Sequence, residues 1–261
     1  MLKTARIITF PLLLLTLGCG SGLSLGGSSV SLDQEWQLGD QMAAQVAQQV
    51  HLVRDPQALA YVRMVGERIH AATPLANRPF DFEIVQDSSV NAFSLPGGHV
   101  YVNTGLIAQA GKVDELAAVL AHEISHVVAR HAIKQVESAN TINTIGSILL
   151  GQNPSVLSQL AAQVVAGGAM ARFSRADEKQ ADDMGLQFMA DAGYDPHGML
   201  DMFQRLLALE RSRPGAVARF FQDHPGTQDR IHDIEGRINR MAVKSGIVDD
   251  PEYQIIRRQV A

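Results

Sequence analysis

His122-Glu123-Ile124-Ser125-His126 is the segment where residue type and spacing converge on chemistry. Two histidines four apart on a helix project from one face and can hold a single metal ion. The glutamate beside the first histidine is then placed to serve a water on that metal. A closed structural zinc site needs four ligands, commonly with cysteine among them, whereas a catalytic site keeps one position for water. The one cysteine of the chain is Cys19, in the leader, so a thiolate site is excluded. His131 is the nearest further histidine, but the longer three-histidine pattern needs Gly at 129 and His at 132, and both are Ala. His131 therefore reads as a surface or supporting residue. A better source of the third ligand is the acidic run from Ser174 to Asp183, where Glu178 and Asp182 share a helical face. One carboxylate can ligate the metal while the other accepts the outer N–H of a ligating histidine and fixes its tautomer. Alone, such a run is more often a solvated helix face; the two-histidine motif upstream reverses that weighting.

These residues need rigid elements to hold them. Leu116, Val119, Leu120, Ile124, Val127 and Val128 recur at three and four around the motif, as in a helix packed into a core. Asp114 and Glu115 suit its N-terminal dipole, and the absence of Pro and Gly from Val113 to Gln135 predicts one continuous helix. Ser31 with Gln34 is a capping-box pattern for a first helix, and Asp55-Pro56 opens a second. Phe80 to Val85 alternates as a strand. Asn91 to Leu95 and His99 to Asn103 flank Pro96-Gly97-Gly98, which has the turn chemistry of a hairpin. Further helices are expected from Arg175, from Asp195-Pro196, and from Thr227 to Ala242 with Ile231, Ile234, Ile238 and Met241 on one face. Between Asn140 and Met170, two core helices compete with a mobile lid hinged at Gly146, Gly151, Gly167 and Gly168. The sum is an α+β fold, mainly helical, with a small antiparallel sheet beside a helical bundle.

The pairing of His122-Glu-x-x-His126 with Glu178-x-x-Ala181-Asp182 resembles the M48 family of zinc metallopeptidases. Asn91-Ala92-Phe93-Ser94-Leu95 through Val102 resembles the strand and hairpin before that family's active-site helix, and Asp223-His224-Pro225 with Arg230 resembles its His-Pro motif. The likeness covers residues 31 to 242 and is greatest to the small periplasmic lipoprotein (LoiP-type) members, without the C-terminal repeat domain or multiple membrane spans of other branches. It implies a zincin, gluzincin-like fold and one Zn²⁺ held by His122, His126 and Glu178, with Asp182 supporting a ligating histidine. Glu123 would be the general base, and substrate would lie extended along Asn91, Ala92 and Phe93. For His224 two roles stay open, a donor to the tetrahedral intermediate or a fourth zinc ligand at rest. For Arg230, substrate orientation and pairing with an acidic partner stay open.

The leader agrees with an envelope protein. Lys3 and Arg6 precede an apolar core, Ile7 to Leu17, too short to span a bilayer. Leu17-Gly18-Cys19 reads as a lipoprotein cleavage site, although Thr16 departs from the usual Leu; a plain secretory signal is the competing reading. Gly20 rather than Asp after the cysteine resembles an outer-membrane-directed lipoprotein of a Gram-negative cell. Residues 1–18 would then be a signal peptide, 19–30 a Gly/Ser-rich tether and 31–261 one metallopeptidase domain. Losing the two basic residues of the leader from 22 leaves 20 against 27 acidic ones, a formal charge of −7. An acidic body without a basic footprint excludes nucleic acid as the expected partner. Unfolded or misfolded cell-envelope polypeptides fit best, and a chaperone-like or latent form aiding outer-membrane assembly is the alternative.

Overall fold

The computed structural model describes residues 29–138, 142–166, 172–225, 227–242 and 246–260; Cys19 and the hinge candidates Gly167 and Gly168 lie outside them. Helix α1 (Leu32–Val46) starts where Ser31 and Gln34 cap each other, as their spacing predicts. Such a cap is worth about 1 kcal/mol. Helix α2 (Pro56–His70) begins with the Asp55 carboxylate accepting the Ala58 N–H at 2.8 Å. Three strands follow, β1 (Asp81–Val85), β2 (Ala92–Leu95) and β3 (His99–Asn103), in the order β1-β3-β2. Strands β2 and β3 form the expected hairpin around Pro96-Gly97-Gly98. Strand β1, however, runs parallel to β3, pairing Asp81 with His99 and Val85 with Asn103, so the sheet is mixed rather than wholly antiparallel. The cause is topological: β3 occupies the centre, so residues 86–91 carry the chain past it to the far edge before the hairpin reverses direction.

The hairpin tip rests on α1. A Cβ at Gly39 would stand 2.0 Å from the Pro96 carbonyl oxygen, so that position tolerates no side chain. Gly97, at φ 77°, sits in the left-handed region that favours glycine.

Helix α3 (Thr104–Gln109) leads to α4 (Val113–Val128), whose sixteen residues are all buried. A helix buried on every side belongs at the centre of a fold, and α4 is enclosed by α2, β2, α8 (Arg175–Asp191) and α9 (His197–Ser212). The expected continuous helix to Gln135 is broken. Ala129 caps α4, Arg130 takes φ 58°, and α5 (His131–Ser138) sets off in a new direction. Neither Gly nor Pro makes this bend; Arg130 is held from outside, by Glu35 of α1 and the Val30 carbonyl.

Helices α6 (Ile142–Leu149) and α7 (Pro154–Val165) lie within the segment with two competing readings. Ile148, Leu157, Ala161 and Val164 are buried beside α1, and Gly151 turns the chain between the helices at φ 70°. Helix α8 starts at a Ser174–Asp177 capping box. Helices α10 (Ala218–Asp223), α11 (Thr227–Ile238) and α12 (Pro251–Val260) complete the chain. The faces of the sheet serve two apolar clusters. Ala92, Val100 and Val102 join the larger one with α2 and α4, while Phe93, Leu95 and Tyr101 join the smaller one with α1 and α7. No helix among the described residues is long and apolar enough to cross a membrane.

Candidate metal centre

Four side chains from three elements converge beside α4. His122 and His126 come from α4, Glu178 from the first turn of α8, and His224 from the end of α10. All four are buried, and one ligand atom from each lies within 4.8 Å of every other. His122 Nε2 is 3.0 Å from His126 Nε2 and 3.2 Å from His224 Nδ1. Glu178 Oε1 is 3.1 Å from His224 Nδ1 and 3.5 Å from His126 Nε2. Donors on a tetrahedron about 2.0–2.1 Å from a zinc ion stand roughly 3.3 Å apart. The set therefore has the size of a metal-binding cluster.

The protons say the same. His122 Nδ1 lies 3.0 Å from Asp182 Oδ1, so the ionised carboxylate accepts the Nδ1 proton and leaves a neutral ring with a lone pair on Nε2. That lone pair faces the His126 and His224 nitrogens and a carboxylate, an arrangement that calls for a cation between them. In the metal-free chain a proton fills that need. Burial opposes a charge on His122, but hydrogen bonds donated to Asp182 and Glu178 outweigh it and raise its pKa to about 9. Burial, with the neighbouring His122 and His224, holds His126 well below the usual histidine range, and burial also lowers His131. Glu178 and Asp182 are lowered as well, here against their own burial. Burial would raise both, but His224 and the other histidines hold Glu178 ionised, and Arg230 with His122 does so for Asp182.

Arg230 is buried in this network. Its Nε and Nη2 donate to Asp182 at 2.7 and 2.8 Å, its Nη1 lies 2.5 Å from Glu178 Oε2, and its guanidinium covers the Phe203 ring at 4.5 Å. Of the two roles left open by the sequence, the geometry realises the acidic pairing. Glu123, on the same helix as the histidines, faces β2: Ser94 Oγ donates to its Oε2 at 2.9 Å. Its Oε1 is 3.3 Å from His224 Nε2, a contact poorly aligned for a hydrogen bond, and has no hydrogen-bond partner among the described residues.

The expected substrate segment flanks this centre. Asn91 is buried and donates from Nδ2 to Asp223 Oδ2 at 3.1 Å, which ties the start of β2 to the residue before His224. Ala92 is buried in the larger cluster, and Phe93 stacks on Tyr101 in the smaller one. The main chain of Ala92 and Phe93 lies on β2, an edge strand among the described residues, and Asn91 stands just before it. Sequence reasoning placed Ser94 and Asp223 within its motifs but assigned neither a contact with the centre. It missed Phe173, whose ring stacks 4.0 Å from that of His126. The strand alternation that puts Ser94 on one face with Ala92 was a usable signal for the first; nothing local marked the last.

The chain is similar to known proteins. The family described as peptidase family M48 matches residues 56–238, well over half of the chain. The beta-barrel assembly-enhancing protease of Escherichia coli K12 is 30% identical over 226 residues, covering 82% of this chain and 46% of that protein. The mitochondrial metalloendopeptidase OMA1 of Schizosaccharomyces pombe is 34% identical over 184 residues, 70% of this chain and 54% of that one. The metalloprotease LoiP of Escherichia coli K12 is 28% identical over 174 residues, 64% of this chain and 66% of that one. The expected likeness to LoiP is thus present, alongside a longer match to the first of these relatives. The chain spans about half the length of that protease.

Proposed function

This chain belongs to peptidase family M48, and on that footing we propose that it is a zinc-dependent endopeptidase acting on unfolded or misfolded cell-envelope proteins. The observation that carries the reading is the convergence of His122, His126 and Glu178 beside Glu123 and an edge strand. Imidazole and carboxylate donors without thiolate suit zinc. Bound there, zinc supplies a Lewis acid that polarises a peptide carbonyl and acidifies water.

The remaining steps belong to the chain's own residues. An extended substrate adds to the free edge of β2 through its main chain, which favours unfolded segments over folded surfaces. Ala92 and Phe93 lie along that edge, with Asn91 just before it. Ser94 holds Glu123 Oε2, leaving the partnerless Oε1 to take a proton from the attacking water and return it to the leaving amine. His224, with Nε2 toward Glu123, donates to the developing oxyanion. Asp182 fixes the tautomer of His122, and Arg230 keeps Asp182 and Glu178 ionised. We place the protein in the periplasm, attached to the outer membrane through a lipid on Cys19. Its substrates would include outer-membrane proteins, in keeping with the name of the beta-barrel assembly-enhancing protease.

A second reading, a latent or chaperone-like form, is favoured by one observation. His224 Nδ1 stands among the candidate donors, and as a fourth ligand it would take the position that water needs. The test compares the full chain with Glu123→Gln, each loaded with one zinc, on an unfolded protein substrate with fragments read by mass spectrometry. Cleavage by the wild type and a loss of about 10²-fold or more in the variant are expected. Equal cleavage by both would refute the role of Glu123. No cleavage by either zinc-loaded chain would favour the latent reading.

A further inference from the structure

Arg130 is the one non-glycine with positive φ among the described residues, and it lies four positions after His126. It is buried and engaged: Nε donates to Glu35 Oε2 and Nη2 to the Val30 carbonyl, both at 2.6 Å. The bend it makes has a consequence for the metal centre. On a straight helix, residues five apart point about 140° away from each other. After the bend, His131 comes back against His126, with the two Nδ1 atoms 2.9 Å apart.

Two Nδ1 atoms at that distance must share one proton, and the far side of His131 decides which ring owns it. His131 Nε2 faces Gln180 Oε1 at 3.1 Å and Asp177 Oδ1 at 3.4 Å. The Gln180 amide alone could be turned either way, but a lone pair on Nε2 would face the Asp177 carboxylate, an ion contact that favours an N–H there without being a hydrogen bond. The His131 proton therefore resides on Nε2, and Nδ1 of the neutral ring is an acceptor. His126 must supply the donor from its own Nδ1, which leaves its lone pair on Nε2, the atom inside the donor cluster.

We infer that His131, swung into place by the Glu35–Arg130 bend and oriented by Gln180 and Asp177, is a positioning residue that fixes His126 in the tautomer that can bind metal. The two ligand histidines are then backed differently, His122 by the carboxylate of Asp182 and His126 by a neutral imidazole. The inference rests on the metal-centre reading proposed above.

The experiment measures the zinc dissociation constant of the full chain by competition with a chromophoric chelator, for wild type, His131→Phe and His131→Asn. Phe keeps the ring and removes the acceptor; the Asn side-chain oxygen can stand near the position of Nδ1. Loss of an outer partner of a ligand histidine weakens metal binding about 10–100-fold. That loss is expected for His131→Phe, with His131→Asn within about threefold of wild type. Circular dichroism of the metal-free variants checks that each is folded. Nitrogen-15 spectra of the wild type should place the His126 proton on Nδ1, a readout independent of either variant's folding. Unchanged affinity in His131→Phe, an Asn variant as weak as Phe, or an Nε2–H tautomer at His126 would each overturn the inference. A wild type that binds no zinc would refute the metal-centre reading as well.

Discussion

Replacing Arg230 with Met tests whether this guanidinium holds the metal centre together or waits for substrate. The side chain is buried, makes two hydrogen bonds to Asp182, contacts Glu178 Oε2 and lies over Phe203. Met keeps the apolar contact with Phe203 but leaves two buried carboxylates without their cation. Breaking a buried ion pair by removing one partner costs about 3–5 kcal/mol. For a domain of this size 1 kcal/mol moves the unfolding midpoint by about 2–4 °C, so the metal-free variant should melt roughly 6–20 °C lower. Zinc changes the sum, because its two positive charges fall beside Glu178, and part of the loss should return on loading. The assay is thermal unfolding of wild type and Arg230→Met, each with chelator and with one equivalent of zinc. A metal-free loss under about 1 kcal/mol, together with weakened substrate binding, would refute the structural role and return Arg230 to the substrate.

Further results are expected. His122 has its pKa raised from 6.5 to about 9 in the metal-free fold, so its stabilising contribution is full below pH 6.5 and disappears as pH rises through 9. Zinc must displace that proton, so zinc affinity should rise about tenfold per pH unit between pH 7 and 8; a flat profile in chelator competition would contradict the proton's place on His122. Gly39→Ala should destabilise the fold by about 1–3 kcal/mol or more, because its Cβ meets the Pro96 carbonyl oxygen and no rotamer relieves it. Gly236→Ala on α11, whose nearest neighbour at 3.4 Å is the flexible end of Arg240, should instead stabilise by about 0.5–1 kcal/mol. Thermal unfolding of the two variants side by side decides it: equal shifts would show that the hairpin can move off α1.

Whatever depended on local spacing was legible in the sequence. The four-residue intervals of His122 with His126 and of Glu178 with Asp182 declare shared faces, and both pairs meet in the fold. The caps at Ser31 and Asp55 marked helix starts because a side-chain oxygen there bonds a nearby N–H. What escaped depends on partners far along the chain. Arg130 bends without Gly or Pro because Glu35, ninety-five residues earlier, holds it, and that bend decides where His131 goes. The parallel pairing of β1 is likewise a matter of which strand takes the middle of the sheet, a choice no single strand encodes. Arg230 carried two readings until Asp182 was seen against it, since one arginine in sequence gives no hint of its depth.

The N-terminal end of the described chain is moored where α4 gives way to α5. Glu137 accepts hydrogen bonds from the Ser29 and Val30 N–H groups, at 2.7 and 3.3 Å, while Arg130 grips the Val30 carbonyl. A pull on residue 29 therefore enters the molecule four positions from His126, with no loose segment to absorb it. With a lipid on Cys19, as proposed, the ten residue steps to Ser29 pay out at most about 35 Å of line. The membrane would then set a ceiling on the height at which this protein can work, and a polypeptide drifting free beyond that ceiling would be out of reach.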